Sequence, residues 1–210
     1  MAIASIRETI QHAILQESAS GELRAKIRQQ ISWLDKKLIL PDDEPESALM
    51  AFITSYVECV PGSLTLVAAL SKKFGFHGYA APFLHLAEDY FLQPPEVIAQ
   101  EQGLAGLLDE AFLAHRLLEE VNDHHVRQLQ GPLLPVDMTE ANIIVHHLIG
   151  DDLASQLEHL VQFTAAQLLS KEHNWAKLKA MQGKHTAVKR FIALDDLSRP
   201  ERQVRLRLAS

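Results

Sequence analysis

The sequence predicts an all-α fold: a multi-helix bundle of about seven to nine helices, with two long central helices and a basic C-terminal tail. Three observations carry this. Apolar residues recur at three- and four-residue steps along most of the chain. Prolines and glycines cut those periodic stretches into helix-sized lengths. A 210-residue chain that is 47% apolar and 22% charged has enough material for one packed core and is not disordered in composition. The expected organisation is one helical-bundle domain over residues 1–197 and an extended or frayed basic tail over 198–210.

The elements follow in order. Ile3, Ile6, Ile10 and Ile14 mark an amphipathic first helix ending near Ser18–Gly21. Leu23, Ile27, Ile31, Leu34 and Leu38 mark a second, with Glu22 early and Lys36 and Lys37 late, the order the helix dipole favours. Leu40–Pro45 is a polar, proline-bounded connection. A third helix is predicted from about Glu46 to Val60, stopped by Pro61–Gly62, and a fourth from a Ser63 cap to Lys73. Gly75 and Gly78 bracket a turn, and Pro82 opens a short helix that Pro94–Pro95 ends. One long helix then runs from about Pro95 to Gln130, closed by Gly131-Pro132 and Pro135. The next runs from Asp137–Thr139 to about Leu169, with Gly150 as a kink or break. Shorter helices are expected over 171–182 and 185–197. Val204, Leu206 and Leu208 alternate with Arg205 and Arg207 in the manner of a strand, but no partner strand is visible, so no sheet is predicted.

Cys59 is the only cysteine, which excludes an internal disulfide and a cysteine-cluster metal site and points to the reducing cytoplasm. The first residues are interrupted by Arg7, Glu8, Gln11 and His12, so they read as a helix of the folded protein rather than an export signal. The longest clean apolar run, Leu64–Leu70, is too short to span a bilayer, and no membrane span is expected. Net charge is −7, but it divides unevenly: −13 over residues 1–170 and +6 over 171–210. A cationic end on an acidic body has two readings: an arm for phosphate-bearing partners or an anionic membrane, working through residues 184–207, or an end that docks on its own body or on a second copy. The second is the expectation, which makes a homo-oligomer a candidate assembly. Nucleic acid is disfavoured as a partner. Lys184, Lys189, Arg190, Arg199, Arg202, Arg205 and Arg207 have Phe191 as their only aromatic companion, and the acidic body repels phosphate.

The chemical signal lies in histidine and acid spacing. Seven of the 11 histidines fall between positions 85 and 159. His85 precedes Glu88 by one helical turn, as His115 precedes Glu119 and His147 precedes Asp151. Imidazole and carboxylate on one face of several helices is how a bundle builds a metal centre in its core. Glu58 joins the set because it interrupts the apolar stretch Ala51–Val60, where an acid is costly unless paired. Leu104, Leu108, Ala111, His115, Leu118 and Asn122 share a face that turns His115 toward the core, with Asn122 placed to support a ligand. Ile144, His147, Asp151, Ala154 and Val161 form a second such face. The candidate metal ligands are therefore Glu58, His85, Glu88, His115, Glu119, His147 and Asp151. They suit a di-metal centre of iron or manganese with redox- or oxygen-linked chemistry. This set resembles ferritin-like and haem-oxygenase-like di-metal bundles in helix number and ligand type alone, since no Glu-x-x-His motif occurs.

The alternative is a non-enzymatic helical module that binds a protein or a small molecule, with the His/acid pairs serving as internal hydrogen bonds. Residues 110–125 are rich enough in charge to produce such pairs by chance, as Glu120 and His124 do on another face. Other chemistries lack their signatures. His146–Asp152 contains no His-Asp dipeptide of the kind helical metal phosphohydrolases use, and Gly150 there suits a helix break. No Gly-x-Ser-x-Gly elbow, Gly-x-x-x-x-Gly-Lys loop or Gly-x-Gly-x-x-Gly loop occurs. Cys59 reads as an inert buried thiol whose pKa the neighbouring Glu58 raises. Gly75-Phe76-His77-Gly78 matches the Gly-x-x-Gly of KH-type RNA modules, but without strands it is a turn. The two readings part on geometry: a metal centre needs the three His/acid pairs to converge across the bundle axis.

Overall fold

A computed structural model describes residues 2–73, 75–98, 102–129, 137–170 and 204–207. The fold is all-α, as predicted. Helix α1 spans Ile3–Ser20 and α2 spans Glu22–Leu34. Gly21 joins them in the left-handed region (φ 66°) and hands its N–H to the Glu17 carbonyl, so one residue ends α1 and starts α2. Helix α3 (Pro45–Glu58) and α4 (Val60–Lys73) form one nearly continuous rod interrupted at Cys59. Pro61 does not stop it; it lies in the first turn of α4, where its missing N–H is no loss. This 29-residue run contains an 18-residue window of mean hydropathy 1.4, long and apolar enough by composition to cross a membrane, yet 56% of that window is buried inside the fold. That is the profile of a core helix.

Helix α5 is His77–Leu92 and begins five residues before Pro82, the expected start. Burial explains the difference: Phe76, Tyr79, Ala80 and Phe83 all enter the core. Pro82 is exposed in the second turn and lacks the N–H that would bond the carbonyl four residues back, near the helix start. Helix α6 (Gly103–Leu129) is the long central helix. It starts at Gly103 (φ 65°) rather than near Pro95, because residues 96–98 form a turn. The second expected long helix is two helices, α7 (Thr139–Ile149) and α8 (Asp151–Leu169), parted at Gly150.

Helix α6 packs against α1, α3, α5, α7 and α8, and its Phe112, Leu113 and Leu117 are fully buried. The prediction of no sheet needs correction. Leu38, assigned from its spacing to the end of α2, forms with Ile39 the strand β1. It pairs antiparallel with β2 (Arg205–Leu206), in register Leu38↔Leu206 and Ile39↔Arg205. The partner that β2 lacked in sequence is thus the segment after α2, whose helix ends in the Asp35–Lys37 turn. The helices expected over 171–182 and 185–197 lie outside the described residues.

Candidate functional site

The seven predicted ligands occupy separate places. Glu58 lies on the surface of α3, where Gln11 of α1 donates to it at 3.4 Å, so its position in an apolar stretch does not bury it. On α5, His85 is exposed while Glu88 is buried, 3.4 Å apart, and Glu88 accepts the Ala2 backbone N–H at 2.6 Å. The predicted pair His115 and Glu119 point to different neighbours. His147 and Asp151 do approach each other, at 3.5 Å, where α7 gives way to α8. Among the described residues, no group of three or more His, Cys, Asp and Glu side chains is spaced to hold a metal ion.

His115 goes to the core, as its face requires, and is wholly buried. Its Nε2 lies 3.2 Å from the Tyr56 carbonyl oxygen and 3.2 Å from Cys59 Sγ. A carbonyl only accepts, so Nε2 carries the proton and donates to it. Nδ1 then presents a lone pair with no hydrogen-bond partner among the described residues. Burial holds the imidazole pKa down at about 4, so the ring is neutral. The Tyr56 ring meets it edge-on at 4.7 Å. Burial also pushes the Cys59 thiol far above its ordinary range. The thiol is inert, as its sequence suggests, but the cause is burial, since Glu58 faces solvent.

A polar chain crosses the bundle one turn further along α6. Tyr56 Oη donates to Asn142 Oδ1 at 2.6 Å, and Asn142 Nδ2 donates to Glu119 Oε2 at 2.5 Å. Thr139 donates to the other Glu119 oxygen at 2.8 Å, and Arg116 pairs with the same carboxylate. Arg116 also faces Glu158 of α8 at 3.8 Å. His146 stands between Glu158 (3.3 Å) and Asp151 (3.5 Å), and Asp151 in turn faces His147. The His147 ring meets Trp33 of α2 edge-on at 6.2 Å. Helices α2, α3, α6, α7 and α8 are thereby joined by one relay of polar and charged contacts. Glu119 accepts from Thr139, Asn142 and Arg116, whereas Glu158 and Asp151 meet their histidine and arginine neighbours at 3.3–3.8 Å.

The open feature is elsewhere. A cleft of about 370 Å³ lies where α2, α3 and α6 meet the α7–α8 elbow. Leu23, Ile27, Leu108, Leu148 and Leu153 give it apolar walls, and Lys26 and Asp109 add one charge of each sign. Asp109 is 5% exposed. A smaller cavity of about 280 Å³ shares Leu23, Lys26 and Ala105 with it and extends toward Gln16 and Gln102. A cleft of this size with few polar groups is of the kind that takes small molecules.

No protein-family model matches the chain, and neither a curated protein nor a solved structure matches it. Function therefore rests on the site itself.

Sequence reasoning missed Tyr56, Asn142, Arg116, Glu158 and Asp109, and read His146 only within a run assigned to a helix break. Arg116 and Glu119, one turn apart on α6, were legible as a pair. Tyr56 and Asn142, separated by 86 positions, carried no local signal.

Proposed function

We propose that the chain is a non-enzymatic helical binding module, with its ligand seat in the cleft between α2, α6 and the α7–α8 elbow. One observation carries this reading. The histidines and acids that a metal centre would need are dispersed over separate contacts, while the cleft has apolar walls with the buried carboxylate of Asp109 and the Lys26 side chain in its lining. An apolar molecule with a small polar head fits that chemistry: the apolar walls take its body, and the polar part of the lining takes its head. The single buried Cys59 supports the cytoplasm as the compartment.

The test uses Ala105, which lines both cavities. Small amphiphiles are screened by thermal shift against the wild-type chain and against Ala105→Trp, whose indole fills the cleft. Ligands that stabilise the wild type and lose their effect in the variant support the reading. A screen in which every stabilising compound acts equally on both proteins overturns it. Elemental analysis of protein grown with added iron or manganese gives the second arm. About one equivalent of either metal would return the redox-linked di-metal centre, and less than about a tenth would leave the binding module standing.

A further inference from the structure

We propose that the seat formed by β1, Asp35 and Glu140 is a strand-exchange site, filled by residues 204–207 either of its own chain or of a second copy. Among the described residues, the following contacts define the occupant. The Arg207 N–H donates to the Lys37 carbonyl at 2.9 Å, and Leu206 faces Leu38 across the ladder. The outer N–H of Leu206 reaches the Glu140 carboxylate of α7 at 3.4 Å. The Arg207 guanidinium reaches Asp35 at 3.5 Å and the Leu38 carbonyl at 3.3 Å. Val204 is buried and Leu206 packs against the core. Backbone pairing, alternate apolar side chains and a charge at one end are the three components of recognition by strand addition.

Nothing in this seat depends on which chain supplies the strand. Strands β1 and β2 are each two residues long, and so short a ladder opens readily. Opening bares Leu38, which is fully buried when the seat is filled, and so favours recapture of a strand. In sequence, residues 170–203 lie between α8 and the strand. Charge adds direction: residues 171–210 carry +6 and residues 1–170 carry −13, so the end of one copy is drawn to the body of another.

The experiment uses full-length chains with one added cysteine each. Ile39 and Arg205 are register partners and both are exposed, so Ile39→Cys and Arg205→Cys leave the buried side of the seat intact. The two variants are mixed at on the order of 1 mM, the range of effective concentrations for tethered partners, and mildly oxidised. Leu38→Cys with Leu206→Cys provides a second register pair. The expected result is an interchain disulfide joining the two introduced thiols, roughly tenfold above that between Arg205→Cys and Leu15→Cys, an exposed position outside the seat. Its yield should grow with concentration and fall severalfold when Arg207→Ala is added or salt is raised. Interchain disulfide at no more than the control level, for both register pairs, would show a clasp that closes only within its own chain and would overturn the proposal.

Discussion

Tyr56 shows how one side chain can fasten several helices. Its hydroxyl is buried and donates to Asn142, whose amide donates to Glu119, whose carboxylate is shared by Arg116 and Thr139. Such a network is stable only while every member has its partner. Tyr56→Phe removes one donor and leaves the Asn142 carbonyl oxygen buried without it, at a cost of about 1–3 kcal/mol. Chemical denaturation of the two proteins measures this, and a change below about 0.5 kcal/mol would mean that water or another donor replaces the hydroxyl. His115 and Cys59 lie one turn away and make a different contribution. They fill a fully buried niche as a neutral ring and a neutral thiol, so their chemistry is silent while their packing is not.

The break between α7 and α8 decides where the cleft and the relay sit. Gly150 has φ 100° and ψ 141°, a backbone conformation that residues with a Cβ strongly avoid. It closes α7 through an N–H to the His146 carbonyl and lets α8 start at once with Asp151 and Asp152 in its first turn, where the dipole favours acids. Had the helix run straight through, Leu148 and Leu153 could not both line the cleft. Space is not the constraint, since a Cβ at Gly150 would meet nothing within 4 Å; conformation is. Gly150→Ala is therefore expected to cost roughly 1–3 kcal/mol. Gly21→Ala, at an ordinary left-handed φ of 66°, should cost about 1 kcal/mol. Equal losses for the two in urea denaturation would show that Gly150 can adopt another backbone conformation at little expense.

Stability of the folded chain should depend on pH through the buried His115 and the partly buried Glu110, acting in opposite senses. Burial holds His115 down at about 4, so the unfolded chain binds more protons than the folded one between pH 4 and 6.5. Its contribution is complete above pH 6.5 and is lost as pH falls toward 4. Glu110 is pushed up to about 8 by burial, with Asp109 adding repulsion, and its Oε2 has no hydrogen-bond partner among the described residues. The folded chain therefore binds the extra proton between pH 4.5 and 8, and stability falls across that window as pH rises. The two slopes oppose each other up to pH 6.5, and beyond it Glu110 acts alone. Glu110→Gln should raise stability at pH 8 by roughly 2–4 kcal/mol and leave it nearly unchanged at pH 4. Thermal melts of both proteins across this range check it; a uniform gain at every pH would assign the effect to packing instead.

Periodicity and glycine placement by themselves determined that this chain is helical, that α1 ends near Ser18–Gly21, that His115 turns inward and that Gly150 is a point of kink or break in the last long rod. Each of these is a local matter: repeat spacing, a residue tolerant of positive φ, or the side of a helix on which a residue falls. They could not determine that Glu58 and His85 face solvent, because an apolar or acidic neighbourhood in sequence does not say which face the bundle covers. Nor could they bring Tyr56 to Asn142, Arg116 to Glu158 or Leu38 to Leu206, pairs joined only by packing between distant segments. The tertiary structure alone decided those contacts, and with them whether histidine and acid would converge on one ion or disperse into separate links. Helical spacing aligns side chains along one rod, whereas coordination needs several rods aimed at a common point, and relative rotation of rods is set by how the whole core fills its space.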